Sequence, residues 1–337
     1  MILMNKILFF NTMLIGTCFT ISSLSWMMMW IGLEINLLSI IPLFKTTDNK
    51  FSSESAMKYF FAQAMGSTII LWCIIYSSGM EIFVDPNIPL STKMLLNSAL
   101  LLKMAAAPFH FWLPEVLEGV NWDMCLILMT WQKVAPMIML SGNLRLPLFI
   151  SIIIVTSSII SGIQGINQVS MRKIMAYSSI NHTSWMIAAM VNSIEVWVLY
   201  YMIYLVLITN IVTMLKKYNV SSIEQLPSIL LEDKNIKFMF FLNFLSLAGL
   251  PPFLGFLPKW ITVYYMVEVG FYVTTMILIA FTMVVIYFYV RLGYSSYSMK
   301  SEESLLLFFN QLSYMHISLN LVSLMGLFLC MPMYSTY

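Results

Sequence analysis

Four charged side chains lie inside stretches that are otherwise apolar enough to cross a membrane. They are Glu34 in WIGLEINLLSI, Lys103 in LLKMAAAPFHFWLPE, Lys133 in MTWQKVAPM and Lys259 in GFLPKW. On insertion scales a charge near the bilayer centre costs about 2.5–3.5 kcal/mol. Ionisable groups at that depth most often serve proton or cation conduction, so proton transfer is the chemistry that these residues predict.

Prolines accompany two of these lysines. Pro108 follows Lys103 by five residues and removes a backbone donor, which predicts a broken helix. The segment LAGLPPFLGFLPKW contains Lys259 and three prolines: Pro251, Pro252 and Pro258. Carbonyl groups freed within a membrane are tolerated only where protein or water covers them. Both segments therefore predict helix breaks beside a polar pathway.

Each of the four charges also has a structural interpretation. Glu34 could form an ion pair with Lys103, its natural partner, that only holds two helices together. A lysine can extend its ammonium to the membrane surface, which suits Lys259 better than the deeper Lys103 and Lys133. Four unpaired charges would together cost on the order of 10–14 kcal/mol. Leucine at all four positions would be more stable, so function is the better explanation.

The histidines are candidates for proton relays. His110 lies seven residues after Lys103 and would share its helical face if the helix were unbroken. His182, in SSINHTSW, could relay between two halves of the chain. For both, a hydrogen-bonded packing role is the alternative. His316 has no supporting context and is interpreted as structural.

The composition predicts an all-α polytopic membrane protein. Of 337 residues, 60% are hydrophobic and only 9% are charged, and the mean hydropathy is +0.85, which no soluble core reaches throughout. The net charge of +2 gives no reason to expect a nucleic-acid partner. Apolar stretches of about 20 residues predict transmembrane helices. Eleven are expected, at 3–23, 25–44, 57–79, 90–113, 123–142, 146–166, 172–192, 195–215, 238–263, 271–291 and 305–331.

Basic residues predict the orientation. With eleven spans, twelve basic residues fall on the side of the N-terminus: Lys6, Lys45, Lys50, Lys58, Arg172, Lys173, Lys216, Lys217, Lys234, Lys237, Arg291 and Lys300. The opposite side holds only Lys93 and Arg145. This bias places the N-terminus on the matrix or cytoplasmic face and the C-terminus on the other.

Two inverted halves are expected. Residues 1–142 form a first five-helix half with a proton half-channel, residues 143–293 a second, and residues 294–337 a loop and an extra C-terminal helix. Because five is odd, the second half begins on the opposite face, so any repeat must be inverted. Both fourth helices carry a lysine within the span, Lys103 or Lys259, and are interrupted by proline, which is the sequence pattern of a transport pathway.

The sequence shows no motif for binding a redox cofactor. It contains no GxGxxG, no P-loop and no CxxC, and the four cysteines have no metal-ligand spacing. No cleavable presequence is apparent. With 30 methionines, the composition favours synthesis inside an organelle.

Five segments resemble a known family. They are WIGLEINLLSIIP, LLKMAAAPFHFWLPEV, TWQKVAPM, GINQVSMRKIMAYSSINHTSW and SLAGLPPFLGFLPKW. Together they are similar to the chain 2 family of NADH–ubiquinone oxidoreductases, antiporter-like subunits in the membrane arm of respiratory complex I, in its animal mitochondrial form. The resemblance implies a multi-pass protein of the mitochondrial inner membrane, with the other membrane-arm subunits and the lipid bilayer as partners. It also implies that NADH, FMN, iron–sulfur clusters and ubiquinone are bound by other subunits.

The resemblance also implies roles for the charged residues. In that family a glutamate and a lysine pair near the start of a half-channel, a central lysine follows, and a lysine in the second broken helix completes the chain. The motifs match these to Glu34, Lys103, Lys133 and Lys259, and match His110 to the PFHFW histidine. The hypothesis is a non-redox, proton-translocating subunit of an NADH:ubiquinone reductase. A stand-alone cation/proton antiporter and a structural spacer of the membrane arm are the alternatives.

Overall fold

A computed structural model describes residues 2–45, 50–78, 89–144, 146–226, 234–251 and 253–297. Within these ranges all regular structure is helical except a single antiparallel bridge between Ser170 and Ser222. The all-α prediction is therefore confirmed. The expected helix at 305–331, with His316, lies outside the described residues, as does Pro252.

A first compact unit ends at Thr156. Its helices are α1 (Ile2–Ser22), α2 (Trp26–Phe44), α3 (Lys50–Ser78), α4 (Leu90–Met104), α5 (Trp112–Gly119), α6 (Trp122–Met129) and α7 (Val134–Ser141), followed by the start of α8 (Pro147–Ile166). A 3₁₀ turn, Trp131–Lys133, separates α6 from α7. The stretch 123–142 is therefore not the continuous helix that the sequence predicts.

The third helix begins earlier than expected. It starts at Lys50 and not near residue 57, because its first two turns are polar and continue the helix beyond the apolar stretch. Lys58 Nζ lies 3.0 Å from Glu54 Oε1 one turn before it and 2.9 Å from Glu115 Oε2 of α5. Pairs of opposite charge four residues apart favour helix, which explains the extension.

A second compact unit begins at Ser157. Besides the rest of α8, its described helices are α9 (Met171–Asn192), α10 (Ile194–Lys217), α11 (Lys234–Ala248), α12 (Phe256–Glu268) and α13 (Tyr272–Tyr297). The chain is thus broken between α11 and α12, within the predicted span 238–263. The domain boundary expected at 142/143 stays a prediction.

Six described segments are long and apolar enough to span a membrane. They are Trp26–Phe44, Lys50–Ser77, Trp122–Ser141, Pro147–Ile166, Ile194–Lys217 and Tyr272–Gly293. Helix α9 is also long enough but is too polar to join this set, and its residues 178–190 are all buried against other parts of the protein. The total of eleven spans and the inverted repeat remain predictions.

Candidate proton-transfer site

The first helix break follows Lys103 directly. Helix α4 ends at Met104, and Ala105 adopts a left-handed conformation with φ 58° and ψ 38°. The N–H of Ala106 then donates to the carbonyl of Leu101 at 3.0 Å, which closes the helix end. The break predicted at Pro108 is present, but it begins three residues earlier than the proline.

Polar groups from outside the helix bond the carbonyls freed by this break. Leu102 O accepts from the N–H of Ala105 at 3.1 Å and from Trp112 Nε1 at 3.0 Å. Lys103 O accepts from Gln63 Nε2 of α3 at 3.3 Å. The interrupted backbone is therefore satisfied by protein donors, as a break at membrane depth requires.

The Lys103 side chain is buried with only 5% of its surface exposed. Helix α3 approaches its stem so closely that a Cβ atom on Gly66 would lie 3.2 Å from Lys103 Cγ. Glu34 is half-buried, and its charge acts on Lys103. These two described residues form no salt bridge, so the expected ion pair is an interaction at a distance.

Lys133 ends the 3₁₀ turn between α6 and α7 and is 2% exposed. Helix α6 stops because Thr130 leaves helical geometry, with φ −113° and ψ −80°. Its hydroxyl donates to Leu126 O at 2.6 Å, and its carbonyl accepts from the N–H of Lys133 at 3.1 Å. The lysine thus sits at an interruption in the helix.

Side chains of three other helices hold this turn. Trp131 Nε1 donates to Thr17 Oγ1 of α1 at 3.2 Å. Gln132 Nε2 donates to Asn36 Oδ1 of α2 at 2.8 Å, and Tyr59 OH of α3 donates to Gln132 Oε1 at 3.4 Å. Because the two residues before Lys133 are tied to separate helices, the backbone that carries the lysine is fixed in place.

His110 is buried in the turn between α4 and α5. Its Nδ1 lies 3.3 Å from Pro108 O, and its ring centroid lies 4.4 Å from that of Phe111. The helix is broken between His110 and Lys103, so the seven-residue spacing does not align the two on one face.

The second helix break precedes Lys259. Helix α11 ends at Ala248, Gly249 has φ +80°, and α12 begins at Phe256. Lys259 is 7% exposed, and its Nζ donates to Ala248 O at 2.7 Å. The ammonium is therefore bonded inside the protein and does not extend to the surface.

Two glycines let the backbone close around Lys259. A Cβ atom on Gly249 would lie 2.8 Å from Lys259 Cδ, and one on Gly255 would overlap Ser246 O. Pro258 stands in the first turn of α12, where a missing N–H costs no helical bond. Pro251 is exposed within the break.

A cavity of about 280 Å³ adjoins Lys259. Most of its wall is apolar, contributed by residues such as Phe256 and Trp260. Lys259, Trp185 and Thr282 also line it. Lys259 Nζ lies 5.9 Å from the centroid of the Trp185 ring, within cation–π range.

His182 lies in the buried helix α9 and contacts two tyrosines of α10. Its Nδ1 is 2.9 Å from Tyr200 OH, and its ring centroid is 4.9 Å from that of Tyr204. This hydrogen bond fits the packing role as well as the relay.

Sequence reasoning missed the residues that hold the lysines in place. Gln63 and Trp112 bond the first break, Gln132 and Asn36 anchor the turn at Lys133, and Trp185 covers Lys259. The available signal was their chemistry, because amides and indoles inside apolar spans need hydrogen-bond partners. Across the described residues, no group of three or more potential metal ligands occurs.

Comparisons with known proteins agree with this architecture. Residues 23–286 match the family model described as NADH:quinone oxidoreductase/Mrp antiporter, TM. NADH-ubiquinone oxidoreductase chain 2 of Anopheles gambiae is 41% identical over 339 residues, covering 97% of both chains. That of Locusta migratoria is 42% identical and covers 89% of this chain and 87% of the relative.

Solved structures share the fold at low identity. A chain of respiratory complex I from Thermus thermophilus with bound aureothin has a TM-score of 0.86 at 22% identity, covering 97% of this chain and 79% of that chain. A chain of the Mrp complex from a Dietzia species has a TM-score of 0.77 at 14% identity, covering 84% and 59%. With the sequence relatives, these findings establish that the chain belongs to the NADH-ubiquinone oxidoreductase chain 2 family, within the NADH:quinone oxidoreductase/Mrp antiporter transmembrane family.

Proposed function

We propose that this chain is a proton-translocating subunit in the membrane arm of respiratory complex I in the mitochondrial inner membrane. Three lysines buried at helix interruptions are the observation that carries this proposal. Each would cost about 2.5–3.5 kcal/mol as a charge at the centre of a membrane. A structural spacer gains nothing from this cost at Lys103 and Lys133, because apolar side chains would be cheaper there.

In the first unit, Glu34 and Lys103 form the input of the pathway. Quinone reduction elsewhere in the complex changes the field at Glu34, and Lys103 responds because the two interact through space. Lys103 then passes the change in protonation to Lys133. Moving one charge across 100 mV takes about 2.3 kcal/mol, which is comparable to the cost of burying one lysine.

In the second unit, Lys259 receives or releases the proton beside its cavity. His110 and His182 are the candidate relays, with structural packing as the competing role. The breaks at Pro108 and at Pro251, Pro252 and Pro258 provide the polar backbone that such a path needs.

The remaining features of the proposal concern the whole chain. We infer eleven spans in two inverted halves, residues 1–142 and 143–293, followed by residues 294–337. The N-terminus lies in the matrix and the C-terminus in the intermembrane space. NADH, FMN, the iron–sulfur clusters and ubiquinone are held by other subunits, and this chain performs no redox step of the NADH:ubiquinone reductase.

The test replaces Lys133 by methionine in the intact complex. We expect Lys133→Met to assemble and to translocate clearly fewer protons per NADH oxidised, measured in sealed membrane vesicles. The matched control is Lys93→Met, which removes a lysine that is less buried and lies near the start of α4. That control should keep the full proton ratio. A Lys133→Met complex that pumps at the full ratio would contradict the proposal and favour the spacer.

The stand-alone antiporter is the second candidate, because the matching family includes Mrp antiporters and the Dietzia Mrp chain shares the fold. It predicts cation-dependent proton flux from this chain reconstituted alone in liposomes. The proposed function predicts no such flux without the rest of the complex.

A further inference from the structure

Asn181 is a buried polar side chain of helix α9 in the second unit. It is 0% exposed, and neither its amide nitrogen nor its amide oxygen has a hydrogen-bond partner in the protein. Leaving a buried polar group unbonded costs about 1–3 kcal/mol. Buried groups of this kind are normally satisfied by an internal water that makes two to four hydrogen bonds.

Trp185, one turn along α9, also has a buried polar atom without a partner. Its indole Nε1 is buried without a hydrogen-bond partner in the protein. Residues four apart on a helix share a face, so the amide of Asn181 and the indole N–H of Trp185 are neighbours on α9. Two buried donor nitrogens and one buried acceptor oxygen, all without a partner in the protein, therefore lie about one helical turn apart on the same face of α9.

Of these two residues, Trp185 lies close to Lys259. The Trp185 ring lies 5.9 Å from Lys259 Nζ, and both residues line the 280 Å³ cavity. In liquid water one molecule occupies about 30 Å³, so the cavity has room for several. Because the wall is otherwise mostly apolar, ordered water in the cavity belongs beside the Lys259 ammonium.

We propose that Asn181 and Trp185 hold internal water that extends the polar path from Lys259 along α9. Asn181 accepts from this water and donates to it, and Trp185 Nε1 donates to it. Asn181 is then a positioning residue, since it acts on the proton through the water and not by binding the proton itself. This inference rests on the proposed role of Lys259 in proton transfer.

The first test is a high-resolution map of the intact complex. We expect an ordered water within about 3.2 Å of the Asn181 amide, with a second bond to Trp185 Nε1 or to another water in the cavity. A map in which the Asn181 amide bonds directly to protein groups, with dry packing against Trp185, overturns the proposal.

The second test compares substitutions in the assembled complex. Asn181→Leu keeps the side-chain volume but removes both hydrogen-bonding atoms, so the water should be lost and proton-coupled NADH oxidation should slow about five- to tenfold. Asn181→Ser restores one polar group and should return the rate to within about twofold of the unmodified complex. Asn181→Leu with the water absent and the rate unchanged overturns the proposal.

Thr183→Val is the matched control on the same helix. Thr183 is also buried, but its hydroxyl donates to Ile180 O of its own helix at 2.6 Å. Its removal should change neither the water nor the rate; a loss as large as that of Asn181→Leu would attribute the effect to general damage of α9.

Lys259→Met, measured in parallel, separates the two proposals. If it impairs pumping and Asn181→Leu does not, the water site fails while the proposed function stands; if it pumps normally, the role of Lys259 fails.

Discussion

The two helix breaks hold their lysines in opposite ways. Lys103 is in the last turn before its break, and the carbonyls there are bonded by other groups, among them Gln63 and Trp112. Lys259 is in the first turn after its break, and its own ammonium bonds the last carbonyl of the preceding helix, that of Ala248. The Lys103 ammonium therefore does not bond the end of its helix, whereas the Lys259 ammonium does bond the end of the preceding helix.

This difference bears on how the two lysines can act. Lys103 can change its protonation in response to Glu34 without removing a bond from the backbone. Lys259 cannot lose its proton and move away without weakening the contact with Ala248 O. Protonation of Lys259 is thus coupled to the geometry of the second break. Protonation of Lys103 is coupled mainly to the charge of Glu34.

The largest expected effect is Gly255→Ala, which tests whether the second break is as tightly closed as this comparison requires. The added Cβ would overlap Ser246 O and lie 2.9 Å from Ser246 C, so backbone must move against backbone. We expect a loss of about 3 kcal/mol or more of stability. The measurement is the amount of assembled complex and its thermal unfolding midpoint.

Gly142→Ala is the control for that substitution. The nearest atom to a Cβ there is Met139 O at 3.6 Å, an ordinary contact. Stability should stay within about 0.5 kcal/mol. Equal stability of Gly255→Ala and Gly142→Ala would show that the second break can accommodate an added Cβ atom. The contrast between the two breaks would then be lost.

The next prediction compares the lysines directly. Lys259→Met leaves Ala248 O without the ammonium and should destabilise the protein by about 1–2 kcal/mol. Lys103→Met leaves every bonded carbonyl of the first break in place, so stability should change by less than about 0.5 kcal/mol. Both are measured as shifts in the unfolding midpoint of the complex. If Lys103→Met were as unstable as Lys259→Met, Lys103 would also stabilise its helix break.

A smaller effect is expected from Trp112→Phe, which probes the carbonyls of the first break. The ring can keep its edge contact with Tyr59, whose centroid lies 5.6 Å away, but the indole N–H is lost. Leu102 O still accepts from the N–H of Ala105, so the cost should be about 1 kcal/mol. Thermal unfolding measures it, and a loss above about 3 kcal/mol would mean that the indole alone supports the break.

The sequence predicted the existence of both breaks but not their construction. Prolines near Lys103 and Lys259 indicated where helices cannot continue, and the structure breaks both. The first break starts at Ala105 because this residue turns left-handed, and alanine gives no local signal for that conformation. The second depends on Gly249 at φ +80°, a position where glycine is informative.

The interruption at Lys133 was missed for a related reason. The sequence MTWQKVAPM contains no glycine, and its proline lies after the lysine, whereas the helix stops at Thr130. The turn is stabilised by Thr17, Asn36 and Tyr59, which are distant in sequence. Contacts of this kind are tertiary, so local propensity cannot reveal them.

The smallest predicted effect, Gly66→Ala, tests the freedom of Lys103 most directly. The new Cβ would lie 3.2 Å from Lys103 Cγ, 3.3 Å from Leu102 Cδ2 and 3.4 Å from Ala99 O. The closest two neighbours are flexible side-chain atoms, so a shift of a few tenths of an ångström should suffice, at less than about 1 kcal/mol. Because the Lys103 ammonium has no bond to the backbone to lose, pumping should fall by less than about twofold, measured as protons per NADH in vesicles. A collapse of pumping with stability intact would show that Lys103 is held as rigidly as Lys259, and the two breaks would then work by the same means.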